Sequence, residues 1–99
     1  MYTKENVTAK VKEDVRAMAI HRSDLSKALV EPVSMAFEGP DGYEWILWVA
    51  AKKDDFFIVC DLESGNYGTG FINILGKPVF PGFSGSIQDA YEDIVTREG

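Results

Sequence analysis

The chain holds one histidine, His21, and one cysteine, Cys60, so the first chemistry to test is a dyad in which the imidazole takes the thiol proton. The setting of each residue argues against it. Cys60 lies inside the apolar run FFIVCDL, where a thiol is a small buried hydrophobe with a raised pKa. His21 falls at the end of the first helical stripe, followed by RSD, where an imidazole suits the helix dipole without catalytic duty. One His and one Cys are also too few for a structural zinc site. Asp61 and Glu63 lack the spacing of an EF-hand loop, and Asp54–Asp55 reads as a solvated turn. Among the carboxylates only Asp61 has an apolar setting. It shares a strand face with Phe57 and Val59 near the strand end, where the two readings are emergence into solvent, which is the expectation, and a polar network.

The stretch ESGNYGTG, residues 63–70, offers a different chemistry, the cradling of a phosphate. Its spacing is Gly65-x-x-Gly68-x-Gly70. A dinucleotide loop needs G-x-G-x-x-G leading into a helix, and a P-loop needs a Lys after its last glycine. Here the glycine order is reversed, no Lys is present, and a strand pattern follows. The stretch therefore reads as a hairpin loop with Tyr67 at its tip, either exposed as a contact residue or folded back onto the sheet. No catalytic constellation, cofactor motif or metal site emerges, so the expectation is a binding protein and not an enzyme.

The elements that must position these residues follow from periodicity. Val7, Val11, Val15 and Met18 form a helical stripe, capped by Thr3 or Asn6. RSDLSKALVEP reads as a short second helix, capped by Ser23 or Asp24 and stopped by Pro32. Four strands follow: VSMAF, YEWILWVAAK, FFIVCDL and FINIL. EGPDG and KKDD are their turns. The segment GKPVFPGFSG is irregular, with Val79, Phe80 and Phe83 pinning it to the body. Ile87, Ala90, Tyr91, Ile94 and Val95 mark the last helix, capped by Ser84 or Ser86. The expected fold is a single α+β domain over residues 1–99. It comprises an N-terminal helix, a short second helix, a four-stranded antiparallel meander and a C-terminal helix, with the helices mainly on one face. Strands apolar on both sides would leave an exposed patch suited to an interface or a homodimer contact.

Charge then narrows the partner. The net charge is −6, with a pI near 4.6. That disfavours direct binding of nucleic acid or of an anionic membrane. Residues 1–30 carry six Lys/Arg against four Asp/Glu, whereas residues 31–99 carry four against twelve. The first ten residues lack an apolar core, and the longest apolar run, WILWVAA, is too short to span a bilayer, so a soluble cytoplasmic protein is expected. Together these features predict a small acidic inhibitor or immunity-type protein, as in toxin–antitoxin pairs, that occludes a basic partner such as a nuclease toxin. The expected contacts are Asp41, Tyr43, Asp54, Asp55, Glu63, Tyr67, Asp89, Glu92 and Asp93. The competing readings are a ligand pocket lined by Trp45, Trp48 and Phe57 with Asp61 and His21, and a docking subunit of a larger assembly.

Overall fold

A computed structural model describes residues 3–98. Helix α1, Lys4–Arg16, starts on a reciprocal cap in which the Thr3 hydroxyl accepts from the Asn6 amide and Asn6 returns to the Thr3 amide. Its expected stripe is buried at Val7, Val11 and Val15. Helix α2, Arg22–Ala28, departs from expectation at both ends. Its cap position is His21, in the left-handed region at φ 63° with no side-chain cap, so neither Ser23 nor Asp24 starts it. His21 thus opens a helix and does not close one. Pro32 does not stop α2 either. The helix ends at Ala28, and Pro32 lies inside strand β1, Leu29–Glu38, where the register shifts between Leu29 and Val33. A bulge tolerates a residue with no N–H to give.

The remaining strands are β2, Glu44–Lys53, β3, Phe56–Asp61, β4, Asn66–Ile72, β5, Pro78–Val79, and β6, Phe83–Gly85. Helix α3, Ile87–Glu98, ends the described chain. Strands β1 to β4 pair antiparallel in sequence order, as a meander should. The sheet is nevertheless mixed and six-stranded. Its order is β3-β2-β1-β5-β4-β6, with β3 also paired to β4, so β1 to β5 form a closed ring. The ring closes through one parallel pairing, Glu38 with Val79, and through the Phe80 amide donating to the Glu38 carbonyl at 2.8 Å. The segment expected to be irregular therefore holds β5 and β6. Pro78 is tolerated there because it sits at the first position of a two-residue strand. Its apolar residues do pin it, with Phe80 fully buried.

Two cores follow from strand alternation. Inside the ring Phe37, Leu47, Val49, Val59 and Phe80 pack with Met35, Trp45, Phe57 and Phe83. On the outer face Ala50, Ile58, Cys60 and Tyr67 meet the helices at Val7, Val11, Val15, Leu25, Ala90, Tyr91 and Ile94. Each large side chain buried in this way contributes about 1.5–3 kcal/mol.

The glycine-rich stretch is the largest revision. Its turn is confined to Glu63–Gly65, and the rest, from Asn66, is β4 itself. Gly68 and Gly70 pair with Val59 and Phe57 and face the ring interior. A Cβ on Gly68 would lie 2.7 Å from the Gly82 carbonyl oxygen, and one on Gly70 would lie 2.8 Å from the Phe37 ring. These glycines make room for aromatic rings; only Gly65, at φ 77°, supplies a turn conformation. FINIL also shortens. β4 stops at Ile72, and Ile74 and Leu75 belong to the next turn.

Candidate protein-binding surface

The structure divides the expected contact residues by what their side chains already hold. Tyr67 is not at a loop tip. It is 1% exposed, on the helix-covered face of β4, and its hydroxyl donates to Asp14 at 2.6 Å. Lys10 pairs with the same Asp14 oxygen at 2.9 Å and lies over the Tyr67 ring. Burial, then the bond to Asp14, push the phenol pKa up. Cys60, opposite Tyr67 in the ladder, is raised to about 11 by burial. His21 instead stacks near Tyr91 at 5.1 Å, so no Cys–His dyad forms.

On α3 the acids serve the helix. Asp89 takes hydrogen bonds from the Ser86 amide and hydroxyl while Ser86 accepts from the Asp89 amide, which makes Ser86 the cap. Glu92 accepts from Gln88, and Asp93 pairs with Arg97 at 2.9 Å. In the turn between β2 and β3, Asp54 adopts φ 56° and lies 3.7 Å from Lys53, which also holds Glu98 at 2.6 Å. Asp55 is exposed beside it. Glu63 is exposed in the turn after β3, where Asp61 ties the loop by accepting from the Glu63 amide and the Ser64 hydroxyl. Asp61 is thus half-buried in a small polar network and does not simply emerge into solvent.

Asp41 and Tyr43 are arranged differently. They form the hairpin between β1 and β2, closed by the Gly39 amide on the Tyr43 carbonyl at 2.8 Å. The Asp41 carboxylate accepts from the Tyr43 amide at 3.0 Å and from the Trp45 indole at 3.1 Å. Those two bonds hold its pKa below the ordinary value. The loop is therefore fixed, and Tyr43 stands on it 74% exposed.

Below this loop lies a feature the sequence reading missed. Glu38 and Glu44 are directly opposite each other in the β1–β2 ladder, and both are exposed. Among the described residues neither forms an ion pair, whereas Lys4, Lys10, Lys53 and Arg97 all do. Like charges directly opposite on a sheet are destabilising. The signal was present in EGPDGYE, which places a Glu symmetrically on each arm of the turn; only the hairpin register turns that spacing into a cross-strand pair.

The hairpin between β4 and β5 stands next to it. Glu38, Gly42 and Glu44 from one side and Lys77 and Pro78 from the other line a shared groove of about 390 Å3. The second hairpin is locked by its asparagine. Asn73 Oδ1 accepts from the Leu75 and Lys77 amides at 3.0 Å each, and Gly76 turns the chain at φ 78°. Ile74 is fully exposed there and Leu75 is 75% exposed.

The expected ligand pocket is not assembled. Trp45 and Phe57 pack inside the ring, Trp48 packs against the helix side, Asp61 ends β3 and His21 stands at the cap of α2. A depression of about 760 Å3 between α2 and α3 does contain His21 and Tyr91, with Asp24, Lys27, Lys53 and Glu98 at its sides. Among the described residues no helix is long and apolar enough to cross a membrane. Searches against protein-family models, curated proteins and solved structures found no match to the chain.

Proposed function

We propose that this chain is a small protein-binding module of inhibitor type, which occludes a basic protein through the β1–β2 hairpin. The observation that carries the reading is the Glu38–Glu44 pair, two exposed carboxylates placed opposite each other, neither of them in a salt bridge among the described residues, with Lys77 lining the same groove. An arrangement that weakens the free fold and gains from an incoming Lys or Arg is suited to electrostatic docking. Tyr43, 74% exposed on the hydrogen-bonded turn next to Glu44, supplies an aromatic of the type favoured at binding hot spots. The overall charge of −6 adds long-range steering toward a positive partner. The acids of α3 and Asp54 carry intramolecular bonds and serve as a peripheral acidic field, with Asp55 and Glu63 exposed at its edges.

The test is comparative affinity capture from the native cells at low and high salt, with wild type and Glu38→Gln/Glu44→Gln side by side. A basic protein retained by wild type, released as salt rises and lost from the variant supports the reading. Equal retention by the variant, or retention indifferent to salt, contradicts it.

A further inference from the structure

Turn residues are usually polar, yet the β4–β5 hairpin displays Ile74 and Leu75 to water. Neither side chain is needed to make the turn. Asn73 and Gly76 set the backbone, through the Asn73 carboxamide, the Asn73 amide on the Lys77 carbonyl at 2.9 Å and the Gly76 amide on the Asn73 carbonyl at 2.9 Å. Two large aliphatic side chains are thus held out on a loop that loses little further freedom when it binds. We propose that this tip is an apolar plug, which enters a nonpolar cleft in the same basic protein whose cations meet Glu38 and Glu44.

The inference rests on the docking role of the β1–β2 hairpin, and the structure connects the two loops. They face each other across the groove lined by Glu38, Glu44, Lys77 and Pro78. A partner surface that meets Glu38 and Glu44 in this groove also lies beside Lys77, which follows the Ile74–Leu75 tip in the same hairpin. The chemistry of the occupant follows: an apolar cleft to take Ile74 and Leu75, rimmed by Lys or Arg to complement the unpaired glutamates. A second copy of this chain fits poorly, because its net charge of −6 gives the wrong sign of rim.

A photo-crosslinking residue, benzoylphenylalanine, placed singly at Leu75, at Tyr43 and, as a control on exposed α3, at Thr96, tests this in the cells that make the protein. Adducts from positions 75 and 43 to one and the same basic protein, with none from 96, are expected. Ile74→Ser/Leu75→Ser should lower the yield from position 43 about tenfold or more, since two buried aliphatic contacts are lost. A basic adduct from 43 with none from 75 overturns the plug and leaves the acidic hairpin standing. No basic adduct from either position overturns both. Adducts to a second copy of this chain, or equal yields from 96, also overturn the plug.

Discussion

The hairpin of β3 and β4 and the hairpin of β1 and β2 both combine acids with a tyrosine, and they use them in opposite ways. In the first, Asp61 binds the amide and hydroxyl of its own loop, and Tyr67 turns inward to reach Asp14. In the second, Asp41 also ties its own loop, but Tyr43 is exposed and Glu38 pairs across the ladder with Glu44, neither in a salt bridge among the described residues. The difference shows why acid counts alone mislead. A carboxylate already satisfied by the fold has less to offer a partner than one left in repulsion with its neighbour.

The largest effect that separates the two regions is expected at the tyrosines. Tyr67→Ala should destabilise by about 3–5 kcal/mol, the range for emptying a buried aromatic site. Tyr43→Ala should change stability by no more than about 0.5 kcal/mol while weakening partner binding. Urea unfolding of the two variants checks the contrast, and a large loss of stability in Tyr43→Ala would break it.

Next in size is the hydroxyl of Tyr67. Tyr67→Phe removes a hydrogen bond to a carboxylate and should cost about 1.5–3 kcal/mol. If its urea midpoint matches wild type, the Asp14 network contributes nothing to the fold.

A smaller effect concerns pH. The Asp41 pKa is depressed in the folded state by the Tyr43 amide and the Trp45 indole. Its contribution is therefore complete above the ordinary carboxylate value of 3.8 and is lost as pH falls through the lower folded value. The Trp45 indole proton resonance should move only in that acid range in wild type and stay flat in Asp41→Asn. Movement near neutral pH would show that another group governs the loop.

The helices and the meander order were legible because side-chain period reports which face is buried, as Val7, Val11 and Val15 and the α3 stripe do. Strand extents were less legible. Gly68 and Gly70 resemble loop residues in sequence, and only the rings of Phe80 and Phe37 beside them explain why a strand interior holds them. β5 and β6 were hidden for a related reason. β5 forms a local hairpin with β4, but its pairing with β1 across the ring and the return of β6 to β4 are closures that no local pattern encodes. The candidate surface was half-legible. Asp41 and Tyr43 stood out as a turn with an aromatic, but the Glu38–Glu44 pairing exists only through register, and the Ile74–Leu75 tip was masked by its resemblance to a strand.

The smallest expected effect bears most directly on the central claim, that Glu38 and Glu44 repel each other in the free protein. Urea denaturation of Glu38→Gln, Glu44→Gln and the double variant at low and high salt measures that repulsion. Each single change should stabilise the protein by about 0.2–1 kcal/mol at low salt. The gain should shrink as salt screens the charges, and the second change should add little to the first. Single variants less stable than wild type, or as stable with no salt dependence, would contradict the claim.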